Sequence, residues 1–173
     1  MDTAPSTDGL RIREAARAVV LSDDTHVLLV RFEFPTATVW APPGGGLEPG
    51  ETHVEALARE LAEEAGLHDV TIGPHVWNRL HVIPFEDGSW DGQRERFHLV
   101  RVHERIEPAP TMSWEELRAE RVHDVRWVPI SDLGLLPRPD DTRPVFLRPD
   151  GFAEHVQRLL DDGPPDPPID VPV

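Results

Sequence analysis

The 173-residue chain has no cysteine, no tyrosine and no lysine. Without cysteine there is no disulfide framework, no thiolate nucleophile and no thiolate zinc site, which suits a reducing compartment. Without lysine, Schiff-base and P-loop lysine chemistry are excluded. All 17 cations are therefore arginine, set against 32 acidic residues for a formal charge of −15. A field of that sign disfavours DNA, RNA and anionic membranes as main partners, because clustered cations bind all three. Long apolar runs are missing too: nothing approaches the ~18 residues of a membrane span, and Met1 to Leu10 holds no signal-peptide core. A soluble cytoplasmic protein is expected.

What is present reads as one domain over 14–162, with an arm at 1–13 and a tail at 163–173 in which five of eleven residues are proline. The tail composition predicts an extended, solvated segment. Apolar runs over 15–21 and 26–32, separated by Ser22-Asp23-Asp24-Thr25, predict a β-hairpin. A short strand is expected near Val39-Trp40, and others over 70–77, 80–85, 96–102 and 124–128. Thr52 and Glu55 form a Thr-x-x-Glu capping box and Gly66 stands where a C′ glycine belongs, so 52–66 is a helix with Val54, Leu57, Ala58, Leu61 and Ala65 on its apolar stripe. Ser113 opens a short helix, and 152–160 forms a last one. The order predicts an α/β fold with a mixed sheet between helices.

The 52–66 helix has a second face that stability does not explain. Glu60, Glu63 and Glu64 share roughly one quadrant at about 100° per residue, near the helix C-terminus. There the dipole prefers cations, and like charges at i,i+4 cost about 0.2–0.5 kcal/mol. Mg²⁺, a hard cation taking oxygen ligands and phosphate oxygens, offsets both penalties, with Mn²⁺ as a substitute.

The surrounding spacing sharpens this. Gly45, five residues, Glu51, seven residues, then Arg59-Glu60-Leu61-Ala62-Glu63-Glu64-Ala65-Gly66-Leu67 resembles the Nudix box at all nine fixed positions across 23 residues. The resemblance implies an α/β/α sandwich and metal-dependent hydrolysis of a diphosphate linkage in a nucleoside diphosphate joined to a group X. It implies that Glu60, Glu63, Glu64 and the Gly44 carbonyl hold the metal, that Arg59 orients a catalytic glutamate, and that Gly45, Glu51 and Gly66 are structural. The general base is left between Glu64 and Glu95.

A polyanionic substrate needs cations inside an acidic protein. Arg17, Arg31, Arg79, Arg94 and Arg96 lie on or beside predicted strands and are candidate phosphate clamps. His81 and His98 could titrate near neutral pH, and Trp40, Trp77 and Trp90 could stack on a base. Subfamily marks are mostly missing; Pro84 lies 17 residues past Leu67, near but out of register with the proline of ADP-ribose enzymes. The expected substrate is a small nucleotide, ADP-sugar or ADP-ribose-like, or a nucleoside triphosphate. The alternatives are a non-catalytic nucleotide sensor and an RNA pyrophosphohydrolase. The resemblance leaves a homodimer open.

Overall fold

The computed structural model describes residues 6–138 and 142–173. Residues 1–5 of the expected N-terminal arm lie outside the described residues. Eleven residues, partly buried at first and almost continuously buried from Ala15 on, form β1 (Ile12–Ser22), which turns into β2 (His26–Glu33) through the expected hairpin. The two strands pair only at Leu21↔Val27 and Ser22↔His26, beside the turn, and then part. β1 continues along β6 (Gly92–Val102) in parallel over its whole length, while β2 takes β3 (Thr38–Ala41) and β7 (Val122–Pro129) as antiparallel neighbours. Into the fork comes β4 (Gly44–Gly46), paired to β1 at Ala15, Ala16 and Arg17. That fork positions the site.

The mixed sheet runs β8-β3-β2-β1-β6-β5-β9, with β5 at His75–His81, β8 at Val145–Leu147 and β9 at Ile169–Asp170. Helices cover both faces, as the α/β expectation requires. On one, α1 (His53–Ala65) and α2 (Trp114–Ala119) sit over Ala16, Ala18, Val20, Leu28 and Val100. On the other, α3 (Phe152–Asp162) buries Phe152, Val156 and Leu159 with Val19, Leu29, Trp40, Trp77 and Phe97. Among the described residues, no helix is long and apolar enough to cross a membrane.

Three expectations need correction. The strands expected over 70–77 and 80–85 are one strand, β5, with an irregular step between His75 and Trp77; residues 70–74 and 82–85 lie outside it. The α1 stripe is rotated: Val54 and Ala58 are exposed, whereas Ala56, Leu57, Glu60, Leu61, Glu64 and Ala65 are buried. Spacing alone chose the most apolar arc, but the helix turns its carboxylates toward β4. The proline-rich tail is not solvated throughout. Ile169 and Asp170 pair in parallel with Trp77 and Asn78, and Val171 is buried in the core beneath α3.

Candidate active site

Three consecutive glycines allow the site to close, each against a different neighbour. Gly44 adopts φ +136°, a conformation that side chains avoid, and packs against the Ala16 carbonyl. A Cβ on Gly45 would come within 2.3 Å of Glu60 Oε1, and one on Gly46 within 2.2 Å of Arg13 Nε. β4 can thus lie between the sheet and α1 with charged groups pressed on its backbone.

α1 begins at the Thr52 cap with both reciprocal bonds of the capping box and ends at Gly66, whose left-handed backbone (φ +68°) donates its N–H to the Ala62 carbonyl. Between these ends, Arg59 gathers the loop and the helix. Its Nε and Nη2 donate to both oxygens of Glu51 at 2.8 and 3.0 Å, Nη2 also donates to the Gly46 carbonyl at 3.1 Å, and Nη1 donates to Glu60 and Glu63 at 2.9 and 3.1 Å. Held this way, Glu51 has its carboxyl drawn down to about 2 by the Arg59 bond. This network gives Glu51 and Arg59 a shared structural task that a planar, five-donor cation can perform and an ammonium cannot.

Glu64 lies one turn beyond Glu60, is 2% exposed, and accepts the Gly44 N–H at 2.9 Å through Oε2. Burial, then the neighbouring Glu60 charge, pushes its carboxyl up to about 8. Burial raises Glu60 as well, against the pull of Arg59. Glu63 is half-buried at the rim. Two desolvated carboxylates side by side are short of positive charge, and every donor here is oxygen, so the residues fit a hard divalent cation. Among the described residues, no three acidic or imidazole side chains are already gathered around one point. Arg59 draws Glu60 and Glu63, and Gly44 holds Glu64. The Gly44 carbonyl accepts Arg17 Nη1 at 2.5 Å.

Across the fork, Glu95 of β6 is fully buried. Arg17 Nε donates to Oε1 at 2.9 Å, Gln93 Nε2 donates to the same oxygen at 2.8 Å, and Arg79 Nε donates to Oε2 at 2.5 Å. Burial alone would raise this carboxyl; Arg17 and Arg79 outweigh it and hold it at about 2. Arg17 therefore stands between Glu95 on the sheet and Glu60 and Glu64 on α1, and feels all three charges.

The other expected substrate residues are dispersed. Alternate residues of a strand face opposite ways, so Arg94 and Arg96 leave the face of Glu95. Arg94 pairs with Glu14 near the start of α1, and Arg96 is exposed. The expectation that they share a clamp with Arg17 is corrected by that alternation. Arg31 pairs with Glu33 at 3.2 Å and lies over Trp40. Trp40 and Trp77 are core residues, and Trp90 is partly exposed. His98 is buried against the Gly73 carbonyl, whereas His81 is only partly buried. Two residues escaped sequence reasoning. Glu120, at the end of α2, lies where its charge acts on both Glu64 and Arg13, and Arg13 lies over Gly46. Arg13 is four residues before Arg17 and so on the same strand face, and that even spacing was the available signal.

This arrangement, an acidic helix behind a glycine strand and facing buried arginines, defines a class. A NUDIX domain is matched over residues 11–148. The chain belongs to the NUDIX family. It is 37% identical over 92 residues to a provisionally named 8-oxo-dGTP diphosphatase 2 of Mycobacterium tuberculosis, a match covering 52% of this chain and 61% of that protein. It is 31% identical over 101 residues to an RNA pyrophosphohydrolase of Helicobacter pylori, covering 53% and 64%. The match thus spans under two thirds of either relative's length. The fold is that of the NUDIX domain of Shewanella oneidensis NrtR, solved with ADP ribose, at TM-score 0.63 and 18% identity over 92% of this chain and 94% of that one.

Proposed function

We propose that this chain hydrolyses a diphosphate linkage in a small nucleotide, by metal-dependent attack of water on phosphorus. The observation that carries the reading is the position of Arg17, which bonds Glu95 and the Gly44 carbonyl while facing Glu60 and Glu64. Groups suited to a cation and groups suited to an anion adjoin one another around Arg17.

Glu60, Glu63, Glu64 and the Gly44 carbonyl would hold Mg²⁺, or Mn²⁺ in its place. When bound, the ion neutralises charge on phosphate oxygens and helps generate hydroxide from water. Arg59 keeps Glu60 and Glu63 on the loop side of α1. Arg17 and Arg79 bind phosphate oxygens. Glu64 is the base, taking the water proton on Oε1, the oxygen not bonded to Gly44. Glu95, with both oxygens engaged by donors, positions the two arginines instead of accepting a proton.

The substrate class is a nucleoside triphosphate or an ADP-sugar or ADP-ribose-like compound. The names of the Mycobacterium relative and of the NrtR complex support one each. RNA is the weaker reading, since the −15 charge repels a long polyanion even though the Helicobacter relative is named for it. A purely sensing role is disfavoured by a box with every carboxylate present. No DNA or membrane partner is expected, and a homodimer is compatible with the fold. The test is product analysis with Mg²⁺ or Mn²⁺ over nucleoside triphosphates, ADP-ribose, ADP-sugars and 5′-triphosphate RNA. Turnover of a small nucleotide, abolished by chelation and reduced at least ~100-fold by Glu64→Gln, is expected. Full turnover by Glu64→Gln would overturn the proposed base.

A further inference from the structure

The loop that joins β5 to β6, residues 82–91, crosses the fork. It leaves the sheet on the β6 side of β1, yet the Glu86 carboxylate at its tip bonds the Arg121 guanidinium in the turn between α2 and β7. Arg121 belongs to the opposite side: its carbonyl accepts the N–H of Glu33, at the end of β2, at 3.0 Å. β1 and the glycine strand β4 lie between these two anchor points. At the root of the loop, Arg11 donates to both oxygens of Asp91 at 3.1 Å and to the Gly88 carbonyl at 2.8 Å. The loop is thus fixed at one end and tied across the site at the other.

Residues 82–90 are exposed except Phe85, which is half-buried. Its ring lies 5.7 Å from the guanidinium carbon of Arg13, and Arg13 in turn rests over Gly46. Arg121 is held with equal care. Its guanidinium carbon lies 5.5 Å from the centre of the Phe34 ring, and its backbone takes φ +67° directly after α2, where glycine is the unstrained choice. Every other non-glycine residue with positive φ among those described is an aspartate. A strained arginine is tolerated there where its side chain has a task. The adjacent Glu120 charge acts on Glu64 and Arg13, which puts this anchor at the rim of the candidate metal site. Tied down, the loop covers a face of one cation, neutralises another and adds the Asp87 carboxylate, all at the edge of a site that should attract polyanions. The Glu86–Arg121 pair is exposed on both sides, so it is weak and salt-sensitive, the strength of a contact that a ligand can open.

We propose that residues 82–91 form a strap over the candidate active site, latched by Glu86 on Arg121, and that the latched form is a closed, autoinhibited state which opens to admit a polyanionic nucleotide. The inference rests on the hydrolase reading for the nature of the ligand, while the latch itself is carried by the contacts of the loop. Because binding requires the open form, the latched fraction lowers apparent affinity in proportion.

A cysteine-free chain allows the strap to be locked at one chosen place. In the full chain carrying Glu86→Cys and Arg121→Cys, a short reducible bis-maleimide should join the two thiols. The ligand is a nucleoside triphosphate whose two bridging oxygens are methylene groups, titrated calorimetrically with Mg²⁺. The cross-linked protein should bind it at least ~10-fold more weakly than the same protein after reduction of the linker. Failure of the cross-link to form, or equal binding before and after reduction, overturns the proposal. Without any cross-link, Glu86→Gln should bind the same compound about 2–5-fold more tightly than the parent, the range an exposed ion pair can give, and Arg121→Gln no more weakly, because each change releases the latch. Tighter binding by Glu86→Gln beside weaker binding by Arg121→Gln is the signature of local charge alone and overturns the latch. Unfolding midpoints show which variants are folded, and the glutamine pair carries the test if the cysteine pair is not. A chain that regains binding on reduction yet cleaves none of the nucleotides would refute the hydrolase reading and leave the strap standing. Cleavage of a nucleotide at full rate by the cross-linked protein would do the reverse.

Discussion

Gly45 lies directly against the Glu60 carboxylate, so closely that a methyl group on it would sit 2.3 Å from Oε1. The relationship explains why glycine is required at this position although the unusual backbone angle belongs to Gly44 alone of the three glycines. It also couples the loop to the helix: β4 cannot approach α1 unless position 45 is bare.

Gly45→Ala should therefore displace Glu60 without removing any carboxylate. Affinity for Mg²⁺ or Mn²⁺ is expected to fall about 10–100-fold, as for changes that move a metal ligand's support. Calorimetric metal titration checks this, with circular dichroism showing that α1 persists.

Arg59→Lys keeps the charge and loses the fork. A lysine cannot donate at once to Glu51, Glu60, Glu63 and the Gly46 carbonyl, all of which Arg59 reaches. Turnover should drop roughly 10–100-fold. Steady-state kinetics of this variant beside Glu51→Gln would show whether the two losses are less than additive, as one shared network requires.

Glu95 contributes stability in a defined pH window. Its carboxyl is depressed to about 2 from an ordinary 4.5, so the folded state favours the ionised form. That contribution is fully present above pH 4.5 and is lost as pH falls toward 2. Glu95→Gln should destabilise the fold by about 3–5 kcal/mol at neutral pH, because Arg17 and Arg79 are left buried without their partner. It should also flatten the acid limb of a plot of urea midpoint against pH. A parent-like midpoint and acid limb would show that Glu95 does not hold the arginines.

The tail should stabilise its own chain. A chain ending at Asp162 loses β9 and the buried Val171, and uncovers the edge of β5 at Trp77 and Asn78. Burying one valine contributes roughly 1.5–3 kcal/mol, and the unfolding free energy should fall by at least that much. Because these contacts lie within the chain, light scattering should give the same oligomeric state for the shortened and full-length proteins.

Much of the site is legible in the sequence. Thr52, Glu55 and Gly66 mark the ends of α1 through bonds that reach no more than five residues, and the nine-position spacing brings Glu60, Glu63 and Glu64 onto the correct helix. The face that α1 presents differs from the apolar pattern at Val54 and Ala58, which are exposed. Apolar spacing ranks arcs by hydrophobicity, and it cannot show that a glycine strand and buried arginines await the carboxylates on the neighbouring arc.

By itself the sequence determined the family, the α/β class, the capped helix and the β1–β2 hairpin, because each is written in short-range spacing. Only the tertiary structure decided which cations meet at the site. Arg17 and Glu95 are separated by 78 positions, and the parallel pairing of β1 with β6 brings them together. The same pairing aligns Arg13 with Gln93, while strand alternation turns Arg94 and Arg96 away. The tail followed the same rule: its prolines suggested extension, and the unpaired edge of β5 decided where that extension would lie.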